Sequence, residues 1–462
     1  MAETETDTRP ESQEDERAHL DEELIARIRD LVRDGQIWEA AELAAPLHPA
    51  DQADLIEQLG PEGREKVVEV LRARLDAEVL PHLDEAVREE VVEQLGAENA
   101  ARLIGDLESD DAVDVLSGLE PELQAQVLAA MPRADRAQIE SGLQFPEDSA
   151  GRLMQREFVA VPEYWTVGQT IDYLREAPEL PEDFFELYIV DPRFRPVGAV
   201  RLSMILRSRR DVALRDLSMR DLRPVPAETD QEEVALQFTK YGLVSAPVVN
   251  DRGRLLGTIT FDDVVDVIQE ETEEDLMRLG GVSEDDLYEP AWDTFKGRVP
   301  WLVVNLFASI LGAAVVGLFE SSIAQLTTLA VLMPIVVSLG GNAGIQSLTV
   351  VVRALATREV TRANALRILG KELVVGSMNG TTFLVLGLVL ALAAFGQPML
   401  GLVFGLAMLI VLIVGAAAGV VLPVVIERLK LDPAVSSGVF LTTLTDVVGF
   451  FAFLGLATLI LL

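Results

Sequence analysis

The sequence predicts a multidomain chain of three fold types: an all-α superhelical N domain, an α/β region of two tandem copies, and an α-helical transmembrane domain of five spans. Three observations predict it. Charge is divided, with 29 Lys and Arg against 69 Asp and Glu in residues 1–293, but 9 against 6 in residues 294–462. A helical pattern repeats without gaps in the first third, and five long apolar stretches fill the last. The net charge of −37 argues against nucleic acid, which is bound by neutralising phosphates with Lys and Arg, and it suits a cationic partner. The same excess also serves solubility in a salty cytoplasm. With no Cys, thiolate metal sites and disulfides are excluded.

Residues 1–20 are acidic and polar, the reverse of a signal peptide, and are expected to form a disordered tail. The helical N domain is placed at 21–146. Within it 54–71, 90–107 and 114–131 align, each an apolar helix end, a turn and a second apolar helix. Such units are stable by stacking on their neighbours. His19, His48 and His82 are scattered here and predict no metal site.

Residues 147–268 hold two copies of a strand-and-helix unit. The second, 225–268, has a short strand, an amphipathic helix, the run APVVN, a turn at Asp251-Arg252-Gly253, the strand LLGTIT and a helix opening at Asp262-Asp263. The first, roughly 150–208, follows the same order. Tandem units of this kind resemble a CBS-domain pair. That resemblance implies ATP or a related adenine nucleotide, held by a Thr-x-x-Asp at the last helix. Thr260 and Asp263 stand there in the second copy, Leu202 and Ile205 in the first, so one site at most is implied. The alternative for Thr260 and Asp263 is a plain helix N-cap.

An acidic connecting helix is expected over 269–297, because five of the six residues 270–275 are acidic. Such a run is usually a solvated face, but beside a membrane entry it would also gather divalent cations. The transmembrane domain, 298–462, has spans at 299–319, 326–352, 373–395, 399–426 and 435–462. Its nine Lys and Arg all fall before the first span, between the second and third, or between the fourth and fifth. The positive-inside rule then puts the N-terminus in the cytoplasm and the C-terminus outside.

Asp446 lies midway along the last span, on a stripe with Gly438, Thr442, Thr445 and Gly449. A charge at the bilayer centre costs about 3 kcal/mol or more, so this stripe faces other helices or water. It is either a packing face with a protonated Asp or an ion path. The second span has a stripe of its own, Pro334, Ser338, Asn342, Gln346 and Thr349. Oxygen and amide groups without Cys or His suit a hard cation. One Asp is too little for an all-protein cage, whereas Mg2+ keeps several waters and needs one or two carboxylates. A symmetric dimer would supply two Asp446 groups, with Thr442 carbonyls and Asn342 amides holding the water shell.

PIVVSLGGNAGIQS (334–347) and TTLTDVVG (442–449) resemble the second and last spans of the MgtE family of magnesium channels, and the domain order is similar over nearly the whole chain after residue 20. The resemblance implies a homodimeric Mg2+ channel of the bacterial inner membrane, taking up Mg2+ and closed by cytosolic Mg2+. It implies pore contacts at Asp446, Thr442 and Asn342. It implies sensing acids at Asp263, Asp266 and Glu232, at Glu271, Glu274 and Asp275 on the connecting "plug" helix, and at Asp432. The N-domain partner is Asp110, Asp111 or Asp114. No catalytic residue is assigned. Two other readings stand beside the channel: an ion-coupled carrier for Mg2+, Mn2+ or Co2+, and a membrane-anchored sensor without transport. Asp446 as the one buried carboxylate favours the channel, since coupled carriers use several titratable groups or an inverted repeat.

Overall fold

The computed structural model describes residues 22–177, 180–181, 184–218, 222–282, 291–360, 364–429 and 433–462. The acidic tail and Asp432 lie outside the described residues. The chain divides into two compact units, residues 1–269 and 270–462.

The first unit opens with short helices that follow the repeat. Pro49–Gln58 turns into Pro61–Leu71, Glu85–Leu95 into Ala97–Gly105, and Ser109–Ser117 into Pro121–Ala130. Equivalent positions are buried in all three: Leu55, Val91 and Val115, then Val67, Leu103 and Val127. Proline at the first position of three of these helices costs nothing, because that N–H has no helical partner. Gly96, at a φ of 73°, makes a tight link that an L side chain would strain.

Two three-stranded sheets follow. β1 (Ala160–Pro162) runs parallel to β2 (Glu186–Val190), which pairs antiparallel with β3 (Pro196–Arg201). β4 (Val225–Pro226), β5 (Ser245–Val249) and β6 (Leu255–Thr260) repeat that order. Both sheets carry a register shift at the same place, between Ile189 and Val190 and between Val248 and Val249, as duplication would leave it. The Tyr188 hydroxyl bonds Ser245 Oγ at 2.9 Å and Thr258 Oγ1 at 2.6 Å, tying the copies together.

The copies are not consecutive along the chain. Residues 150–155, which open the first copy in the sequence reading, fold into the second. Ala150 and Met154 lie in its core, and Gln155 exchanges backbone bonds with Thr258. Conversely Leu214 closes the first core. Alternation of apolar residues marks a buried strand or turn but not the sheet that buries it.

The acidic run does not sit on a helix of its own over 269–297. It forms the second half of one helix, Phe261–Gly280, since no Pro or Gly interrupts the chain from Phe261 to Leu279. Residues 283–290 lie outside the described residues.

In the second unit five helices are long and apolar enough to cross a membrane, among the described residues. They are Ala291–Leu318, Thr328–Ala356, Ala365–Phe395, Pro398–Arg428 and Pro433–Ile460, and are called the first to fifth spans below. The fourth is the most enclosed and packs on the second, third and fifth. Small residues permit this: a Cβ on Gly415 would stand 2.7 Å from the Gly340 carbonyl oxygen, and one on Gly419 2.6 Å from that of Gly344. The end of the connecting helix belongs to this unit, where Leu279 packs on Leu348, Val352, Ala418 and Leu441. Gly281, at a φ of 71°, then turns the chain where a side chain would collide with the Trp301 indole.

Candidate functional site

The residues singled out in the sequence fall into two sets, one in each unit. In the membrane unit the fifth span lies against the first, second and fourth. Thr445 is buried beside Gly341, and Gly449 meets Val337. Asp446 is half-buried, its Cβ 3.8 Å from where a Cβ on Gly312 of the first span would stand. The threonine hydroxyls are engaged by their own helix. Thr442 Oγ1 donates to the Gly438 and Val439 carbonyls at 3.1 Å, Thr443 Oγ1 to Val439 at 2.6 Å, and Thr445 Oγ1 to Leu441 and Thr442 at 3.0 Å. Their oxygens keep lone pairs, so together with the Asp446 carboxylate and the backbone they can still accept from a hydrated cation.

On the second span Pro334, Ser338, Asn342, Gln346 and Thr349 are all exposed, in one row. The Asn342 and Gln346 amides have no hydrogen-bond partner among the described residues. An unpaired amide in hydrocarbon costs several kcal/mol, roughly 4–8 on an alkane scale. This face therefore calls for water or a polar partner.

The membrane unit also corrects one expectation. Glu372, which falls just outside a third span drawn from 373, lies two turns inside a helix that starts at Ala365. It is 9% exposed and accepts a hydrogen bond from Ser347 Oγ at 2.8 Å. Asp446 is thus not the one buried carboxylate of the spans. The missed signal was the run ANALRILGKELVV, whose 3.6-residue period already extends the span backwards.

In the first unit the acids expected to sense Mg2+ separate into groups. Asp110 and Asp111 open the helix Ser109–Ser117 and face Asp263. Glu108 and Glu78 act on Asp111 too, and Asp262 on Asp263. Glu78 and Glu108 were not anticipated; Glu78 follows Asp76 in a 3-10 turn that carries no helical period. Asp110 is 7% exposed, and its Oδ2 is buried without a hydrogen-bond partner. Burial first, then the Asp263 charge, pushes the Asp110 carboxyl well up. Burial and Glu78 raise Asp111 to about 7. Burial raises Asp263 to about 6, against the pull of Thr260, whose Oγ1 donates to Asp263 Oδ2 at 2.7 Å. Thr260 and Asp263 thus bond one another across the helix start, as a capping pair does. Asp266 is raised by burial and lowered by His82.

The neighbouring loop clamps this helix start. Gln155 Nε2 donates to Glu108 at 2.7 Å, and Ser109 Oγ donates to Glu157 at 2.7 Å. Asp114 also adds its charge to those that raise Asp111, but unlike Asp110 it has a cationic partner, Arg88, at 2.7 Å. Glu232 lies in the first turn of Gln231–Tyr241. Glu274 pairs with Arg278 one turn on. Among the described residues no three acidic or histidine side chains converge closely enough to hold a metal ion directly. The orphaned Asp110 oxygen and the all-oxygen donor set fit a dication that keeps most of its water.

Family models match three stretches. A divalent cation transporter model, MgtE, matches residues 333–456, an MgtE intracellular N domain 47–148, and a CBS domain 214–270. The magnesium transporter MgtE of Thermus thermophilus is 33% identical over 450 residues, 96% of this chain and 99% of that relative. That of Bacillus subtilis is 28% identical over 438 residues, 95% and 97% of the two chains. A solved cytosolic domain of the Mg2+ channel MgtE in complex with ATP is 30% identical over 53% of this chain and 99% of its own, with a TM-score of 0.48.

Proposed function

Because this chain belongs to the MgtE family of magnesium transporters, we propose that it is a Mg2+ channel for uptake across the cell membrane, closed by Mg2+ on its cytosolic acids. The observation that carries the reading is the row of exposed, unpaired amides at Asn342 and Gln346, on a helix packed beside half-buried Asp446. Lipid cannot satisfy that face. A second copy can, and a two-fold dimer would set two Asp446 carboxylates and four amides around one water-lined path. Carboxylates about 6 Å apart repel by roughly 3 kcal/mol at an effective dielectric near 20. A hydrated dication between them removes that repulsion and a monovalent ion does so less well. Asn342 and Gln346 would orient its water shell. The exposed stripe Phe261, Val265 and Ile268 on the connecting helix is a further apolar face that a dimer would cover. The distribution of Lys and Arg supports a cytoplasmic N-terminus and an outer C-terminus.

Closure follows from repulsion. With Mg2+ scarce, Asp110, Asp111, Asp263 and their neighbours stand bare and push the N domain from the CBS helix. With Mg2+ held among them, they draw together. The acids Glu271, Glu274 and Asp275 would respond in the same sense on the helix whose end packs against the spans. Because Thr260 and Asp263 already bond one another and Asp263 lies among the acids, we assign Asp263 first to the acid cluster.

Uptake into proteoliposomes under an imposed potential tests the reading. The parent chain takes up Mg2+ with no partner ion, and Asp446→Ala reduces uptake at least about a hundredfold without changing the oligomer. Buried Glu372 favours one competing reading, a coupled carrier, which requires an opposing ion gradient in the same assay. A chain that senses without transport gives no flux.

A further inference from the structure

We propose that Glu372 and Ser347 form a latch that aims the polar face of the second span, making both of them positioning residues for transport. The inference rests on the transport reading. Ser347 is 5% exposed and Glu372 9%, on the second and third spans, both of which pack on the fourth. Ser347 Oγ donates to Glu372 Oε2 at 2.8 Å, and Glu372 Oε1 stands 3.7 Å from the mostly exposed Lys371 ammonium. The pair sits where three spans converge: a Cβ on Gly419 of the fourth would lie 2.8 Å from the Ser347 Cβ.

Ser347 follows Asn342 by five residues, about 7.5 Å along the axis and about 140° around it. The latch therefore holds the flank of the second span turned away from Asn342 and Gln346. Apolar helix faces in lipid have no hydrophobic drive to hold one rotation over another, so a directional bond has leverage there. Gly340, Gly344, Gly415 and Gly419 make the contact of the second span with the fourth close but smooth, so the hydrogen bond to the third span is what fixes its rotation. Turning the helix by one side-chain position would swing both amides out of the path.

Proteoliposome uptake by the full-length chain separates this role from a charge in the path. Glu372→Ala and Ser347→Ala each raise the Mg2+ concentration for half-maximal uptake roughly tenfold and lower the ratio of Mg2+ to Ca2+ uptake. The double variant is no worse than either single one. Glu372→Gln keeps an oxygen acceptor for Ser347 and restores both readouts. Glu372→Gln as impaired as Glu372→Ala overturns the latch, since the charge itself would then matter. Unchanged half-saturation and selectivity in both alanine variants overturn it too. Where Glu372→Ala does not fold, Ser347→Ala gives the same reading. Because the chain lacks Cys, a spin-label pair at exposed Val350 and Val374 reports the helix orientation independently of flux. A distance distribution that broadens in the alanine variants and not in Glu372→Gln supports the latch; an unbroadened one overturns it. A parent chain that moves no Mg2+ defeats the transport reading alone, and the spin-label result still decides the latch.

Discussion

The two acidic regions of this molecule handle the same charge in opposite ways. The cytosolic cluster crowds Glu78, Glu108, Asp110, Asp111, Asp262 and Asp263 around a buried Asp110 oxygen that has no partner. The membrane face carries a half-buried Asp446, flanked by neutral amides and by threonines bonded to their own helix. Crowding makes a site whose carboxyls are raised toward neutral pH and whose cohesion depends on a counter-charge. Sparseness would let a site attract a dication without retaining it, as conduction requires. On the proposed reading, one region registers a cation and the other lets it pass.

That contrast can be broken by removing charge from the first region alone. The largest effect is expected from neutralising Glu271, Glu274 and Asp275 together to Gln, Gln and Asn. Patch currents should then stay open at internal Mg2+ that closes the parent, and normal closure would remove the connecting helix from the mechanism. Asp110→Asn with Asp263→Asn should be milder, raising the internal Mg2+ for half-closure about tenfold, the scale of one charge-assisted contact. Unchanged closure would separate the cluster from gating.

The pH dependence sharpens the same point. Asp110, Asp111 and Asp263 all hold protons more tightly folded than unfolded, Asp111 being raised from 3.8 to about 7 and Asp263 from 3.8 to about 6. Without Mg2+, stability of the cytosolic part should therefore fall as pH rises through that window and level off above it. Mg2+ should add most to the melting temperature of the full chain above pH 7 and little at pH 5, read by fluorescence-detected thermal unfolding. Equal Mg2+ stabilisation at both values would mean that the cluster does not hold the ion. The smallest effect belongs to Asp114→Asn, whose charge reaches the cluster only through Asp111 and is already offset by Arg88. Half-closure should shift less than twofold.

Periodicity and charge made most of the architecture legible. The repeat positions Leu55, Val91 and Val115, the two β-α-β-β copies and the apolar spans are all local patterns, and local patterns survive in a sequence. What stayed hidden was pairing across distance. Nothing in Ala150 or Met154 says that they fill the second copy's core, because an apolar residue fits either sheet. Asp110, Asp111 and Asp114 look alike on one helix, and only the structure shows that the last has a partner in Arg88 while still acting on Asp111. Glu372 was missed through a span boundary drawn eight residues late, which left a buried carboxylate just outside the span. Asp446 was visible because nothing charged surrounds it in the sequence.

Mg2+ current recorded from patches, with internal Mg2+ stepped upward, tests the central claim most directly. The parent chain should conduct at low internal Mg2+ and close as it rises, and Asp446→Ala should be silent at every concentration while still assembled. Parent-like current through Asp446→Ala would contradict the account.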